Sequence, residues 1–313
     1  MIASIGEALI DFIPVETPDG TRVFASRPGG SPYNTAIACG RLKQPVLFLA
    51  RLSNDFFGTD LVANLKANNV DASYVQRTPD PTTLAFVRTS PSGDAEYAFF
   101  VNDSADRLLR RTDLPADLPR ELTCIQCGSI STQMEPCAIT IEEYVFERAE
   151  KVVFAYDPNI RVSLISDGDA HRKRVLRFMS VSGIVKVSDV DLEWLFPGIS
   201  QEDAMEKVAE LGVPMVVVTA GADGATARNR NGNVYVPSES PPGGVKDTVG
   251  AGDSFHGALL TWLDRHGYMD RESLATLDTE TLERALRFAV KAAAITCSRA
   301  GAEPPTDSEI DLR

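Results

Sequence analysis

Strand-like and helix-like runs alternate along most of this 313-residue chain, and that alternation restricts the fold more than any other feature. Ala3–Phe12, Val46–Arg51, Leu122–Ile130, Lys151–Tyr156, Gly183–Val187, Met215–Thr219 and Asn233–Val236 are short apolar runs that read as strands. Tyr33–Leu42, Ala170–Met179, Val190–Phe196, Glu202–Leu211 and the Ala-rich Glu280–Cys297 read as helices, and Phe57, Leu61 and Leu65 form another helical stripe. Strands separated by helices are joined by crossovers and line up parallel, with helices on both faces of one sheet. The expected architecture is a three-layer α/β/α domain, and such sheets place ligands beyond the carboxyl ends of their strands.

Two segments break the pattern. Ile13–Ser26 holds a turn at Pro18-Asp19-Gly20 between extended arms, and Thr83–Val101 holds Ser90-Pro91-Ser92-Gly93-Asp94 in the same way. Both read as β-hairpins, which do not fit a parallel sheet. Together, at about 12–27 and 83–103, they predict a small β-sheet lid on the main domain. Repeats, low-complexity tracts and linkers are lacking, so 1–313 is expected to form one domain, and 43% hydrophobic residues suffice for its core. The hairpins carry apolar residues on both faces: Val15 and Val23 in one, Leu84, Phe86, Tyr97, Phe99 and Phe100 in the other. One face can cover a ligand, and the other predicts an interface, hence a two-fold homodimer through the lids.

The net charge of −13 argues against nucleic-acid and acidic-membrane partners. It leaves room for a nucleotide, whose phosphates backbone N–H groups, a few cations and a metal can hold. Met1 leads straight into Ile2-Ala3-Ser4-Ile5 without a secretory pattern, and no apolar run is long enough to span a bilayer, so a cytoplasmic protein is expected. The five cysteines read as reduced thiols; Cys124 and Cys127 form a lone CxxC inside an apolar run and are expected in the core. His171, His256 and His266 show no metal-ligand spacing, and His256 is expected on the surface or behind the site.

The chemistry concentrates at Gly250-Ala251-Gly252-Asp253. A helix starts directly behind it, with Phe255, Leu259, Trp262 and Leu263 on one face. Three small residues at a helix N-terminus offer backbone N–H groups to an anion. Asp253 in the first turn would repel that anion, unless it takes the proton of a hydroxyl attacking a phosphoryl group. The bland alternative is a glycine-rich turn with an Asp favoured by the helix dipole. Gly29-Gly30-Ser31-Pro32-Tyr33-Asn34 opens another helix; its glycines allow close ligand approach, and the Asn34 amide can both donate to and accept from hydroxyls, although an ordinary capped loop fits too. Asp11, at the end of the first strand-like run, can accept two hydroxyl protons or serve as a turn residue. Met215–Thr219 leaves through Gly221 and Gly224, where a nucleotide could rest on backbone beside the Thr219 hydroxyl, or where a plain turn could sit. Neither the G-x-x-x-x-G-K-[ST] loop nor the G-x-G-x-x-G fingerprint occurs.

Together these segments resemble the ribokinase-like (PfkB) carbohydrate kinases over essentially the whole chain. Pro28–Asn34 matches the sugar-side signature and Asp247–Phe255 the C-terminal signature of that family. The resemblance implies a ribokinase-like fold with ATP and a small sugar as substrates. It implies that Gly250, Ala251 and Gly252 form the anion hole, that Asp253 is the base, and that Asp11, Gly29, Gly30 and Asn34 bind sugar hydroxyls. Thr219, Gly221 and Gly224 match the nucleotide strand. The family's Asn-x-x-Glu element aligns with Ser188-Asp189-Val190-Asp191, a departure that keeps one carboxylate; Ser188 falls on the nucleotide side, and Asp191 would place Mg²⁺ through water. K⁺ or Na⁺ near Asp247 and the Thr296–Gly301 backbone is a further implication. Gly6-Glu7-Ala8-Leu9-Ile10-Asp11, Thr83–Val87, Ser104-Ala105-Asp106, Asp157-Pro158-Asn159-Ile160-Arg161 and Lys186–Asp189 are similar to phrases of the fructokinase branch, with Arg161 expected on phosphate or a sugar oxygen, or else on the surface. Kinases for other sugars, sugar acids or nucleosides remain alternatives, as does a non-catalytic binding protein on the same fold.

Overall fold

Gly6 breaks the first strand-like run in two. In the computed structural model, which describes residues 1–89 and 95–310, the run becomes β1 (Ile2–Ile5) and β2 (Leu9–Glu16). Gly6 has φ +148°, and a Cβ there would stand 2.4 Å from Ser131 Oγ and 2.6 Å from Pro32 Cγ, so the turn admits only glycine. β1 stays in the main sheet while β2 leaves for the small one. Asp11 is therefore mid-strand in β2 rather than at the carboxyl end of a main-sheet strand, as the unbroken run had suggested.

The remaining strands are β3 (Arg22–Gly29), β4 (Val46–Ser53), β5 (Val75–Thr78), β6 (Thr83–Thr89), β7 (Ala95–Phe100), β8 (Cys124–Gly128), β9 (Val153–Asp157), β10 (Ile184–Ser188), β11 (Met215–Thr219), β12 (Ala225–Asn229) and β13 (Gly232–Val236). The large sheet runs β13-β12-β11-β10-β9-β8-β1-β4-β5. Neighbours from β11 to β5 pair parallel, and β12 and β13, at one edge, pair antiparallel. The chain leaves β1 toward β4 on one side and later returns to β8 on the other, so β1 marks the switch point where such sheets bind ligands.

Helices cover both faces. Trp262, Leu259 and Leu286 belong to one buried apolar cluster, and Tyr144, Tyr156 and Phe178 to the other. Cys39, Cys124, Cys127 and Cys137 are buried free thiols, as expected of the CxxC pair. Among the described residues no helix is long and apolar enough to cross a membrane.

The two expected hairpins form their own sheet, in the order β3-β2-β6-β7. β2–β3 and β6–β7 are antiparallel, and a parallel seam from Leu9↔Thr83 to Phe12↔Phe86 joins them. The Ser90–Asp94 turn lies outside the described residues. On one face Tyr97 and Phe99 pack with the buried Leu9, Ala85 and Ile130. On the other, Phe86 stacks on Phe12 at 4.7 Å and meets Phe24 and Phe100 edge-on; Phe24 is 48% and Phe100 63% exposed.

Candidate active site

The helix Ala251–Arg265 begins at Gly250, which adopts φ 73°. A Cβ on Gly250 would lie 2.3 Å from Ala302 Cβ, so both backbone angle and space demand glycine. Gly252 has no such angle; its Cβ would stand 3.1 Å from Lys186 Nζ. The Ala251 N–H donates to Thr248 O at 3.2 Å and closes the turn, while Gly250 and Gly252 line the cleft.

Asp253 follows in the first helical turn and is 8% exposed. Its Oδ1 accepts from Ser31 Oγ at 2.7 Å and its Oδ2 from Asn34 Nδ2 at 2.8 Å. Both partners come from the helix Ser31–Arg41, whose start is set by Gly30 at φ 107°. The two helices approach closely because Gly257 has no side chain: a Cβ there would meet Ala38 Cβ at 2.7 Å and Thr35 O at 2.8 Å. The small residues of this helix pair thus bring Ser31 and Asn34 onto the carboxylate. Burial raises the Asp253 pKa, partly offset by these two hydrogen bonds.

Asp11 faces the same cleft from β2. Burial pushes its carboxyl up to about 7, against the pull of Arg161 and with added push from Asp253 and Asp247. Gly29 lies beside it: a Cβ there would be 2.1 Å from Asp11 Oδ2. Arg161 lines the cleft rather than the outer surface, its guanidinium 5.8 Å from the Tyr97 ring centre. Gln133 clamps the Arg161 backbone, accepting from its N–H at 3.1 Å and donating to its carbonyl at 2.7 Å.

The cleft encloses about 300 Å³ and gathers Asp11, Gly30, Asn34, Arg161, Ser188, Thr219, Gly250, Gly252 and Asp253. Gly29, Ala251, Gly221, Gly224, Asp191 and Asp247 stand outside its lining. Gly221 at φ 51° and Gly224 at φ 92° shape the turn from β11 to β12. Ser188 Oγ caps the helix Asp189–Leu195 by accepting from Asp191 N–H at 3.1 Å. The Asp191 carboxylate accepts from Ile160 N–H at 3.1 Å, and burial, then Asp157, push it up to about 6. Asp247 ties two loops together, accepting from Val249 N–H at 3.0 Å and Gly301 N–H at 2.8 Å.

Two polar residues of the cleft, Lys186 and Glu7, were given no role by sequence reasoning. Lys186 projects from β10 into the cleft and donates to Asp157 Oδ2 at 2.8 Å, with both side chains nearly solvent-free. Burial alone would lower the lysine pKa, but Asp157 reverses the sign and leaves it raised. The signal was present: a lysine inside the apolar run Ile184-Val185-Lys186-Val187 needs a buried anion. Glu7, at the break between β1 and β2, also lines the cleft. His256 is fully buried behind the site, 3.8 Å from Asp157, with burial lowering its pKa to about 4, so the surface option falls away.

A parallel sheet whose cleft opens at the switch point, with a buried carboxylate beside a glycine-capped helix start, is the construction of a small-molecule kinase. Residues 1–309 match the pfkB family carbohydrate kinase profile, and the chain belongs to that family. It is 39% identical over 282 residues to a fructokinase of Rhizobium leguminosarum bv. trifolii, covering 90% of this chain and 85% of the relative. The fructokinase of Xylella fastidiosa with bound ATP superposes with a TM-score of 0.87 at 27% identity, over 96% of this chain and 93% of that one. The fructokinase of Vibrio cholerae O395, in a form with bound fructose, ADP and calcium ion, gives 0.83 at 28% identity, over 96% and 94%.

Proposed function

We propose that this protein is an ATP-dependent fructokinase that converts D-fructose to fructose 6-phosphate. The observation that carries the reading is Asp253 held between Ser31 and Asn34 at the mouth of the glycine turn, in a chain whose relatives are fructokinases. Asp253 takes the proton of the primary hydroxyl as its oxygen attacks the γ-phosphorus and ADP leaves. The backbone N–H groups of Gly250 and Gly252 and the Lys186 ammonium stabilise charge on the phosphoryl oxygens, while Ala251 closes the turn. Asp11, Asn34, the Gly29-Gly30 backbone and Arg161 orient the sugar. Ser188, Thr219 and the Gly221–Gly224 turn seat the nucleotide.

Among the described residues no three His, Cys, Asp or Glu side chains gather into a metal cage. Among the same residues Asp157 Oδ1 is buried without a partner, and Asp157 and Asp191 repel each other's charge. These carboxylates would suit an Mg²⁺ ion brought in by the nucleotide phosphates: Asp157 and Asp191 would hold its water shell. When bound, Mg²⁺ neutralises phosphate charge and aligns the γ-phosphoryl group. K⁺ beside Asp247 and the Thr296–Gly301 backbone belongs to the same proposal.

The small sheet acts as a lid, excluding water so that transfer outruns hydrolysis. Its outer phenylalanines support pairing with the lid of a second copy, in the cytoplasm as a homodimer. Sedimentation equilibrium checks this, and a 33.9 kDa monomer at micromolar protein rules it out. A coupled ADP-release assay over fructose, ribose, 2-keto-3-deoxygluconate and nucleosides tests the function. Faster turnover on another sugar replaces the substrate, and ADP release with none replaces catalysis by binding.

A further inference from the structure

The proposed mechanism leaves one buried carboxylate of the cleft without a task. Glu7 is 1% exposed and sits where the chain leaves β1 for β2. Its Oε1 accepts from the Ser31 N–H at 3.2 Å. Its Oε2 accepts from the Ser131 N–H at 3.2 Å and from the Ser131 hydroxyl, and the Glu7 N–H returns a bond to Ser131 Oγ at 3.0 Å. Ser31 then carries the connection onward: its hydroxyl donates to Asp253 Oδ1 at 2.7 Å. Glu7 and Asp253 therefore hold one residue between them, the first by its amide and the second by its hydroxyl.

Several facts set this apart from ordinary polar packing. A carboxylate so deeply buried is costly unless its hydrogen bonds are used. Gly30, which precedes Ser31, is itself pressed against the Glu7 backbone: a Cβ there would be 2.8 Å from Glu7 O. Ser31 thus has little freedom to move without Glu7. The groups acting on the Glu7 carboxyl are the Ser131 and Ser129 side chains, its own backbone and the carboxylate of Asp106. Burial, reinforced by Asp106, pushes it up to about 7. A proton on Glu7 turns one acceptor oxygen into a donor facing an N–H group, which breaks one of the two bridges.

We infer that Glu7 is a positioning residue for phosphoryl transfer: it fixes Ser31, whose hydroxyl fixes the Asp253 carboxylate, from the point where the chain turns toward the small sheet. This rests on Asp253 being the base. Glu7 contacts no reacting atom in this role. Its effect passes through Ser31 and belongs to kcat.

The test is a double-mutant cycle of Glu7→Gln and Ser31→Ala, with Asp253→Asn as reference, at saturating ATP and the preferred sugar. Glu7→Gln keeps the shape but leaves a single acceptor oxygen for two N–H donors. Its kcat is expected to fall roughly 10- to 100-fold, as for a lost hydrogen bond to a charged group, with the KM for ATP within about twofold of wild type. In the Ser31→Ala background the same change is expected to cost no more than about twofold. Multiplicative losses, or a wild-type kcat in Glu7→Gln, overturn the inference; a purely structural anchor would give the former. If Glu7→Gln melts below the assay temperature, Ser131→Ala takes its place in the cycle, and the same outcomes decide. Retained activity in Asp253→Asn would sink the base assignment itself, an outcome separate from the cycle.

Discussion

Asn34 Nδ2 lies 2.8 Å from Asp253 Oδ2, across two helices that meet at Gly257 and Ala38. Both carboxylate oxygens are thereby committed to the Ser31–Arg41 helix, one to Asn34 and the other to Ser31. Asp253→Asn preserves the shape but cannot accept a proton. Its kcat is expected to fall by about 10²–10⁴-fold, with sugar KM little changed. Steady-state kinetics checks this, and a variant keeping more than about half of the wild-type kcat removes Asp253 as the base.

The two glycines of the turn separate by mechanism. Gly250→Ala meets both a left-handed angle and the Ala302 side chain, so a lower Tm is expected along with lost turnover. Gly252→Val has no unfavourable angle and projects toward Lys186 at the floor of the cleft. The fold is expected to persist while phosphoryl transfer collapses. Calorimetry alongside kcat distinguishes the two, and normal turnover in folded Gly252→Val would exclude the turn from the reaction.

In its proposed sugar-binding role, Asp11 couples binding to pH. Its ionised form accepts hydroxyl protons, so the sugar KM is expected to rise as pH falls through about 7, whereas in Asp11→Asn the KM is high and flat. At high pH the variant is expected to be worse by roughly 10- to 150-fold, with the ATP KM far less affected. Stability runs the other way. A carboxyl raised from 3.8 to about 7 on folding contributes stability below pH 3.8 that is lost as pH rises to about 7. Asp11→Asn should gain Tm relative to wild type across that window; equal melting curves throughout would mean the carboxylate is not buried as described.

Lys186 and Asp157 form a pair whose halves depend on each other. Lys186→Met leaves the Asp157 charge buried without its cation, at a cost of about 3–5 kcal/mol in denaturant unfolding. Adding Asp157→Asn is expected to restore much of that stability but not kcat, because the ammonium facing the phosphoryl group is still missing. Recovery of kcat in the double variant would reduce Lys186 to a structural role.

Local physics made much of this legible in the chain. Helical spacing announced the Ala251–Arg265 and Thr279–Cys297 helices, and the glycine turn pointed to Asp253, the proposed base. The division of the first run at Gly6 was hidden, because what forbids a side chain there is Ser131 and Pro32, distant in sequence. β12, Ala225–Asn229, escaped notice because its outward positions are Thr226 and Arg228 and its apolar signal is two alanines. Glu7 gave no local sign: its meaning lies in Ser31 and Ser131, which reach it only through tertiary structure.

The parallel seam between β2 and β6 dictates an order of assembly. The Ser31–Arg41 helix, β4, the Phe56–Ala67 helix and β5 all lie between its two strands in the chain. Closing that length of polypeptide costs entropy before any bond of the seam can form, so the seam waits until the intervening elements have docked. Leu9↔Thr83 closes more chain than Ile2↔Val46, so the small sheet is expected to zip after β1 and β4 have paired and to unzip before them. Amides of the seam are expected to exchange with solvent ahead of those in β1 and β4, which are interior strands of the large sheet, paired on both sides.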